Sequence, residues 1–259
     1  LGFSYGCGNG HCGLCKARLV SGEVRQIMPA DYRLSEVERQ QGHLLMCANV
    51  PLGDLVIETL EARGPADIPH QEIVAKVRVI SALAPDTMLL HLQTPRTNRL
   101  RFLAGQQVTL GITVGDVDAQ ARYPLASCPC DDRNLHFHIA RDDTDAFACF
   151  VFDSRLARDD TVSIRGPVGD FVLPSDAEGP LVFVAADTGF APIKSLIEHA
   201  IAIDAGDSIH LYWCATRADG HYLANQCAAW ADALDGFAFE PLRAATPGQA
   251  ARDLLTRLA

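Results

Sequence analysis

The stretch YGCGNGHCGLCKARLVSGEV, residues 5–24, decides the fold of the first part of this chain. It contains Cys7, Cys12 and Cys15 with the spacing C-x4-C-x2-C, and Cys47 follows after 31 further residues. Three thiolates from one tight loop and a fourth from a distant segment form the ligand pattern of a plant-type [2Fe–2S] cluster. We therefore predict that these four cysteines bind such a cluster.

The glycines of this loop support the cluster prediction. Glycine adopts positive φ angles without steric cost, so the backbone amides of a glycine-rich loop can approach the inorganic sulfides. Those amides and the solvent exposure of the cluster tune its reduction potential. A zinc site or a set of plain buried thiols is the alternative, but zinc sites favour two C-x2-C pairs and this loop contains one. The glycines are Gly6, Gly8, Gly10 and Gly13.

The composition narrows the class of protein. The chain has 259 residues, 48% of them hydrophobic, and such a length accommodates about one to three domains with sizeable cores. Its formal net charge is −10, from 22 basic and 32 acidic residues, which argues against a nucleic-acid-binding surface. We find neither a membrane-length apolar run nor a signal-peptide pattern, so we expect a cytoplasmic protein that contacts no membrane.

Nine cysteines are many for a protein without secretory features. An odd number fits a closed disulfide framework poorly, so metal ligation is the first interpretation. The five cysteines outside the motif are interpreted as small core residues. They are Cys128, Cys130, Cys149, Cys214 and Cys227.

Hydrophobic periodicity divides the chain into three regions. Residues 1–62 contain the cysteine motif, and residues 63–70, with two prolines and a glycine, are expected to form a linker. Residues 71–176 contain many short strand patterns and one helix candidate, which favours a small antiparallel barrel. Residues 179–259 alternate strands and helices, which implies a parallel sheet.

The elements follow from the same patterns. The expected strands are 16–20, 54–59, 72–80, 88–93, 107–114, 135–140, 161–165, 181–186, 208–214 and 237–242. The expected helices are 36–41, 146–156, 191–203, 223–234 and 249–258. Because the run 181–186 is continuously apolar, we expect it to be buried on both faces of its sheet.

The order of these regions resembles reductases in which a plant-type ferredoxin domain is fused to a ferredoxin–NADP reductase-like module. Such proteins serve multicomponent mono- and dioxygenases and deoxysugar dehydration systems. The resemblance covers essentially the whole chain and implies a multidomain α/β plus all-β fold. Its parts are a partial β-grasp [2Fe–2S] domain, an antiparallel β-barrel FAD-binding domain and a truncated Rossmann-like parallel α/β NAD(P) domain. Because family members have further segments before the cysteine loop and after the last expected strand, we expect this chain to be a piece of a longer protein.

The resemblance also implies a function. Family members pass a hydride from NAD(P)H to FAD, which sends single electrons to the [2Fe–2S] cluster and on to a partner protein, an oxygenase or dehydratase component. The cofactors carry this chemistry and the protein positions them, so no residue is expected to act as a general acid or base. We therefore expect an NAD(P)H-dependent flavin and iron–sulfur reductase with a protein electron acceptor.

The family's flavin motif is matched in part by ARYPLAS, residues 121–127. Tyr123 aligns with the tyrosine that stacks on the isoalloxazine, and Ser127 ends the motif. Pro124 replaces a hydroxyl residue, and Arg122 is shifted by one position from the family's arginine, so on a strand it faces the opposite side. The second flavin element is a helix whose N-terminus faces the pyrophosphate. Here its turn contains Asp145, whose carboxylate would repel a pyrophosphate if it pointed inward.

A third stretch, IRGPVGDF at 164–171, matches the family's Gly-Pro-x-Gly-x-Phe turn through Gly166 and Gly169. This turn is mainly a scaffold feature of the barrel. Tyr123 also has an ordinary alternative, a packed barrel residue without a ligand.

The nucleotide region resembles the family at two turns. Thr188 and Gly189 fit the strand-to-helix turn that approaches NAD(P)H, although Asp187 replaces a glycine and adds negative charge there. Arg217, just past the second strand, is a candidate contact for the adenosine ribose or a phosphate, or else a solvated loop arginine.

Two other classes of function remain open. One is a non-enzymatic [2Fe–2S] electron carrier or scaffold whose reductase module binds flavin and nucleotide poorly, because its phosphate contacts depart from the family pattern. The other is a zinc-stabilised adaptor, which predicts a colourless protein that contains zinc and no iron.

Overall fold

The computed structural model describes residues 10, 13, 15–59, 64–95, 98–114, 117–174, 177, 179–246, 248–249 and 252. The strands are β1 (Lys16–Ser21), β2 (Val24–Gln26), β3 (His43–Leu45), β4 (Asn49–Pro51), β5 (Val56–Thr59), β6 (Gln71–Ala84), β7 (Thr87–Gln93), β8 (Gln107–Val114), β9 (Val117–Pro124), β10 (Asn134–Ala140), β11 (Thr161–Val168), β12 (Pro180–Ala186), β13 (Ser208–Ala215) and β14 (Phe237–Arg243). The helices are α1 (Glu36–Gln40), α2 (Ala146–Phe152), α3 (Phe190–Ile203) and α4 (Ala224–Ala233).

The cluster lobe, which we define as residues 10–59, is built around β1. This strand pairs antiparallel with β3 on one side and β5 on the other, and β2 pairs with β4 in a separate ladder. Helix α1 begins with a full capping box, in which the Ser35 hydroxyl accepts from the Glu38 amide and the Glu38 carboxylate accepts from the Ser35 amide. The buried core of the lobe contains Cys15, Leu45 and Ala48. Because so small a core contributes little stability, the lobe depends on its hydrogen bonds and on metal ligation.

The second region is an antiparallel barrel with the strand order β10-β7-β6-β11-β8-β9. Alternate residues point into one core, as in β6, where Ile73, Ala75 and Val77 are buried and their neighbours are not. Helix α2 packs into the same core. The two outer strands approach each other where the Ala126 amide donates to the His136 carbonyl at 2.8 Å. The segment that continues from β9 therefore lies against β10.

The third region is a parallel sheet with the order β12-β13-β14, in which α3 and α4 connect successive strands. Its core includes Phe190 of α3, which stacks on Trp213 of β13 with ring centroids 3.9 Å apart, and both rings are fully buried. Parallel strands place all their carboxyl ends on one edge of the sheet, and α/β sheets bind ligands outside that edge.

Helix α3 joins the parallel sheet to the barrel. The ammonium group of Lys194, a residue only 6% exposed, donates to the Ala126 carbonyl at 3.0 Å and to the Glu198 carboxylate at 2.5 Å. The Ser195 hydroxyl donates to the Ser127 carbonyl at 2.6 Å. A buried ammonium group needs such partners because an unpaired charge is costly away from water. The backbone directly after β9 is therefore held by α3.

The cluster lobe contacts the barrel through Tyr32. The guanidinium carbon of Arg99 lies 4.6 Å from the centroid of the Tyr32 ring. The same guanidinium is paired with the Asp132 carboxylate at 2.8 Å, and both side chains are largely buried. Burial raises the pKa of Asp132 to about 6, although Arg99 opposes this shift. A partly desolvated cation–π contact contributes roughly 0.5–2 kcal/mol.

Most of the expected strands and helices are confirmed within a few residues. The strands β2, β3 and β4 were not predicted because they are too short to show alternation. Strand β9 alternates apolar and polar residues, but two of its apolar positions are alanine, which is depleted in strands, and only the resemblance to the flavin motif indicated its end. Helix α2 ends at Phe152, earlier than expected, and Ser154 just beyond it has a φ of 56°, which α-helices do not adopt. Most of the expected helix 249–258 lies outside the described residues.

The expectation that residues 181–186 are buried on both faces is wrong for the part of the chain that the structure describes. In β12, Phe183 and Ala185 pack in the same core as α3, whereas Val182 and Val184 are 49% and 50% exposed. An apolar run identifies the strand, but it does not show which of its faces a helix covers.

The capping carboxylate of α1 makes the stability of the cluster lobe depend on pH. Partial burial raises the pKa of Glu38, but hydrogen bonds from Lys16 (2.6 Å) and Ser35 outweigh it and lower the pKa to about 2. A carboxylate with a lowered pKa stabilises the folded state above its unfolded pKa, and this contribution is lost as the pH falls toward the folded value. We expect Glu38→Gln to lower the free energy of unfolding by about 1 kcal/mol at pH 7. The difference should shrink between pH 4.5 and pH 2, as measured by urea unfolding followed by circular dichroism.

Glu36→Gln, on the same helical turn, is the matched control. Glu36 is exposed, and its substitution should change stability less and with weaker pH dependence. A Glu38→Gln difference that persisted undiminished at the acid end would contradict the assignment.

Candidate functional site

The structure brings two of the four motif cysteines together. Cys15 directly precedes β1, and Cys47 lies in the short 3₁₀ turn after β3. Because β1 pairs with β3 and the Met46 amide donates to the Cys15 carbonyl at 3.0 Å, the two Sγ atoms lie 3.1 Å apart. This separation is too long for a disulfide, whose S–S bond is about 2.05 Å, and it brings both side chains within reach of one metal centre. Cys7 and Cys12, the other two predicted ligands, lie outside the described residues.

The loop that carries Cys15 requires glycine at position 13. Gly13 has a φ of 77°, and a Cβ atom there would overlap the ring of Tyr32. The Tyr32 amide also donates to the Gly10 carbonyl at 3.0 Å. The tyrosine therefore supports the cysteine loop on one side while it contacts Arg99 of the barrel on the other. The chemistry and placement of these residues fit a [2Fe–2S] cluster.

The flavin motif is split between the two faces of β9. Tyr123 is 8% exposed and lies in the barrel core, with its ring centroid 5.6 Å from that of Phe147. Arg122 is exposed and lies on the opposite face, as the one-residue shift in the sequence predicts. Pro124 is half-buried at the end of the strand. The structure therefore does not bring Arg122 together with Tyr123.

The carboxylate of Asp145 fills the space between Tyr123 and helix α2. One of its oxygens accepts from the amides of Phe147 at 2.9 Å and Ala148 at 3.1 Å, so Asp145 is the N-cap of α2. The other oxygen accepts a hydrogen bond from the Tyr123 hydroxyl. Burial and this hydrogen bond raise the pKa of Tyr123 well above its ordinary value, so the phenol stays protonated and donates. The groups expected to meet a flavin pyrophosphate are thus already bonded within the chain, and they do not fit a diphosphate in this arrangement.

Three other predicted flavin residues act within the barrel. The Ser127 hydroxyl accepts from the His136 amide at 3.2 Å, and the residue is 5% exposed. Gly166 pairs with β6 in the barrel ladder, and Gly169 has a φ of 105° just after β11, where its carbonyl accepts from the Gln106 side chain at 3.2 Å. These contacts agree with a scaffold role for the 164–171 turn.

The first nucleotide turn has the expected shape. Asp187, Thr188 and Gly189 form the 3₁₀ turn between β12 and α3. Asp187 has a φ of 44°, and its carboxylate accepts from the Thr216 amide at 2.9 Å and from the Thr216 hydroxyl. The negative charge that the sequence places in this turn is therefore bonded to the loop that follows β13.

Arg217 is held by two carboxylates. It forms an ion pair with Asp86, which lies in the turn between β6 and β7, and its Nε lies 3.8 Å from the Asp187 carboxylate. Arg217, the residue predicted to contact the nucleotide, is thus part of an ion pair that connects the barrel to the parallel sheet. Asp86 carried no signal in the sequence, because a single aspartate in a turn is common.

A cavity of about 730 Å³ opens next to this ion pair, at the carboxyl ends of β13 and β14. Its walls include Pro85 of the barrel turn, Asp219 and His221 of the loop after β13, and Arg243 of β14. The volume lies within the range of small-molecule pockets, about 300–1,000 Å³. Its place at the carboxyl edge of a parallel sheet is where such sheets bind nucleotides.

Tyr222, another residue of the cavity wall, connects the parallel sheet to the barrel. Its hydroxyl lies 2.9 Å from Nδ1 of His138 in β10. Burial lowers the pKa of His138 to about 3, so the imidazole is neutral at pH 7. The sequence analysis missed this pair because 84 residues separate its members.

The interpretation of Cys128 and Cys130 as free core thiols is wrong. The two residues form a disulfide, with Cα atoms 5.1 Å apart. The chain turns at Pro129 into a short 3₁₀ segment, which brings the two side chains together. Cys214 and Cys227 are buried, as expected, and Cys149 is half-buried.

Comparison with known proteins finds relatives of the cysteine region and of most of the chain. Residues 1–52 match the 2Fe-2S iron-sulfur cluster binding domain family. The reductase subunit of an aromatic O-demethylase from Amycolatopsis sp. is 33% identical over 255 residues, which cover 95% of this chain and 73% of that protein. The CDP-6-deoxy-L-threo-D-glycero-4-hexulose-3-dehydrase reductase of Yersinia pestis is 30% identical over 227 residues, 86% of this chain and 66% of that protein. The chain thus spans 66–73% of the length of these relatives.

Solved structures agree with the fold expected from the sequence. The crystal structure of an Amycolatopsis cytochrome P450 reductase matches 94% of this chain and 74% of its own, with a TM-score of 0.60 and 30% identity. The ferredoxin reductase of carbazole 1,9a-dioxygenase matches 93% of this chain and 70% of its own, with a TM-score of 0.55 and 22% identity, and shows the shared fold. No helix within the described residues combines the length and hydropathy needed to cross a membrane.

The aromatic O-demethylase reductase subunit is 33% identical over most of its own length and most of this chain. This identity, the shared fold and the cysteine motif together show the family. The chain belongs to the family of oxidoreductases that join a [2Fe–2S] ferredoxin domain to a ferredoxin–NADP reductase-like module and use [2Fe–2S], FAD and NAD(P)H as cofactors.

Proposed function

We propose that this protein is an electron-transfer reductase that takes electrons from NAD(P)H and delivers them through a [2Fe–2S] cluster to a protein acceptor. The observation that carries the proposal is the pairing of β1 with β3, which brings Cys15 and Cys47 together in the same chain as a barrel and a parallel sheet of the reductase fold. In this family, FAD supplies the conversion of a two-electron hydride donor into a source of single electrons.

We assign cluster ligation to Cys7, Cys12, Cys15 and Cys47. The spacing of the four cysteines and the close approach of the last two support this assignment. The buried position of Cys15 and the packing of Tyr32 against Gly13 of its loop also support the assignment of Cys15.

We assign NAD(P)H to the carboxyl edge of the parallel sheet. The turn at Thr188 and Gly189 and the cavity beside Arg217 support this assignment, because both lie where β12, β13 and β14 end. Pro124 and the small exposed part of Tyr123, whose ring otherwise packs in the barrel core, are the groups that would form the wall of the flavin ring site. Ser127, Gly166 and Gly169 would support that wall as barrel scaffold, and Arg122 would not contact the flavin.

The acceptor in this proposal is a separate protein, an oxygenase or dehydratase component, as in the relatives named above. We further propose domain limits of 1–62 for the cluster region, 71–176 for the barrel and 179–259 for the nucleotide region, with a linker at 63–70. The proposed location is the cytoplasm, whose reducing conditions would keep the cluster thiols reduced and would oppose the Cys128–Cys130 disulfide.

The groups expected to contact flavin and nucleotide phosphates are already bonded to other residues of the chain. This favours a second candidate function, a [2Fe–2S] electron carrier whose reductase module binds flavin and nucleotide weakly. Asp145 and the ion pair of Arg217 with Asp86 are the observations in its favour. The two candidates differ in whether NAD(P)H reduces the cluster when flavin is supplied in excess.

Replacement of a cluster cysteine tests the ligand assignment. Cys12→Ser and Cys15→Ser should each remove or strongly destabilise the cluster, because a hydroxyl replaces a thiolate ligand. Iron and acid-labile sulfide, present in equal amounts in the unmodified protein, should fall together in both variants. Cys149→Ser is the control, since its thiol lies 3.7 Å from the Asp142 carbonyl and takes no part in the motif. Full iron content in Cys15→Ser would exclude Cys15 as a ligand.

Cys47→Ser tests the order of electron transfer. With FAD in excess, this variant should keep NADH- or NADPH-dependent ferricyanide reduction and lose cytochrome c reduction, because only the second activity requires the cluster. The two rates are measured side by side in the unmodified protein and the variant. Equal loss of both would place the cluster before the flavin, which contradicts the proposal.

The second candidate gives a different result in the same assay. A protein that transfers electrons from dithionite to cytochrome c, but not from NADH or NADPH at saturating FAD, is a carrier.

A further inference from the structure

We infer that Asp145 occupies, from within the chain, the position that the phosphate groups of a flavin nucleotide would take, so that the protein holds flavin by its ring system and binds riboflavin, FMN and FAD with similar strength. This inference rests on the proposed function, because it concerns the flavin that the proposed reductase would use. It names Asp145 as the cause of weak phosphate binding, and it predicts the relative affinities for riboflavin, FMN and FAD, neither of which follows from the family relationship.

Both oxygens of the Asp145 carboxylate accept hydrogen bonds from within the chain. Two backbone amides at the start of α2 donate to one oxygen and the Tyr123 hydroxyl donates to the other. Amides of a first helical turn and a phenol are donors that an anionic phosphate would otherwise attract. Within this arrangement, all three donors already have an anionic partner.

The charges near Tyr123 and the start of α2 are negative. Asp142 lies close enough to raise the pKa of Tyr123 further, in addition to Asp145. The guanidinium of Arg141, the nearest cation along the chain, lies 4.4 Å from the centroid of the Phe152 ring at the other end of α2. Arg122 lies on the opposite face of β9 from Tyr123. A diphosphate brought to this site would meet carboxylates, whereas both arginines point elsewhere.

The third observation concerns the side chains in the first turn of α2. Position 148 in the first turn of α2 is Ala148, which has an amide but no hydroxyl, and that amide donates to Asp145 at 3.1 Å. A phosphate that displaced the carboxylate would leave Asp145 near another anion, and like charges at such a distance repel. The phosphate end of a flavin nucleotide therefore gains no net attraction from α2.

The flavin ring has no charge to repel. Pro124, half-buried at the end of β9, and the small exposed part of Tyr123 would offer it an apolar edge, and the Asp145 carboxylate does not oppose such packing. Affinity should therefore come from the isoalloxazine and the ribityl chain, which riboflavin, FMN and FAD share.

The test measures dissociation constants of riboflavin, FMN and FAD by flavin fluorescence, on protein that retains its cluster and has been freed of flavin by gel filtration. The variants are Asp145→Asn and Asp145→Ser, both of which keep a good helix N-cap and so leave α2 intact. Asp142→Asn is the matched control, since it removes one charge three residues away. A far-ultraviolet circular dichroism spectrum of each variant confirms that it is folded.

The unmodified protein should bind the three flavins with dissociation constants within about threefold of one another, because their shared ring supplies the binding. Asp145→Asn should tighten FAD about tenfold and change riboflavin less than about twofold. Asp145→Ser, which removes the negative charge and shortens the capping side chain, should give at least the same gain for FAD. Asp142→Asn should change the ratio of FAD to riboflavin affinity less than Asp145→Asn does.

Three results would overturn the inference: stoichiometric FAD that survives gel filtration of the unmodified protein, FAD binding much tighter than riboflavin binding, or equal gains for FAD and riboflavin in Asp145→Asn. Cytochrome c reduction at saturating FAD reports on the proposed function separately. Tight FAD with normal cytochrome c reduction would reject the inference and keep the proposed function. Equal affinities for the three flavins, without any NADH- or NADPH-dependent reduction of cytochrome c, would keep the inference and reject the proposed function.

Discussion

The buried ammonium group of Lys194 is the interaction on which the arrangement of barrel and parallel sheet depends. It binds the carbonyl of Ala126, directly beyond the flavin motif, and the carboxylate of Glu198 one turn along α3. Glu198 in turn accepts from the Cys128 amide at 3.2 Å, and Ser195 binds the next carbonyl, that of Ser127. Removal of any one partner would leave a buried polar group unsatisfied, which is costly. The end of β9 and the first helix of the nucleotide region therefore form one rigid unit.

This unit constrains the two ligand regions on either side of it. Tyr123 lies three residues before the Lys194 contact, and Phe190 begins α3 four residues before Lys194. The flavin strand and the nucleotide turn are consequently fixed relative to each other by a few short hydrogen bonds. A second connection, the Asp86–Arg217 ion pair, lies near the cavity. It is more exposed than the Lys194 contact, and exposed ion pairs contribute little, so the position of the two regions rests mainly on α3.

The sequence predicted the parts of this structure that leave a periodic or spaced signature. The cysteine spacing, the strand-rich middle and the alternation of strand and helix after residue 179 each follow from local patterns. The opposite orientation of Arg122 and Tyr123 also followed, since side chains alternate along a strand. What could not be predicted depends on partners distant in sequence. The sequence showed the charge of Asp145 and Asp187, but not that their carboxylates would bind Tyr123 and Thr216.

Long-range pairing also explains the remaining errors. Arg217 is separated from Asp86 by 131 residues, so no motif foretells their ion pair. The half-exposed face of β12 depends on which helices cover the sheet, which is a property of the assembled fold. Cys128 and Cys130 are the exception, because their separation of two residues was visible. Their interpretation as free thiols followed from the frequent use of cysteine as a small core residue, and it left out the turn at Pro129 between them.

The position of Tyr32 has a consequence for how the protein assembles. One face of its environment is the loop and core that carry Cys15, and the other is the guanidinium of Arg99. Any change in the loop that moves the ring also alters the contact with the barrel. A metal centre that held this loop in place would therefore also favour the contact with the barrel, and that contact would favour the metal centre in return. The position of one aromatic ring thus couples the site of the metal centre to the interface between two regions of the protein.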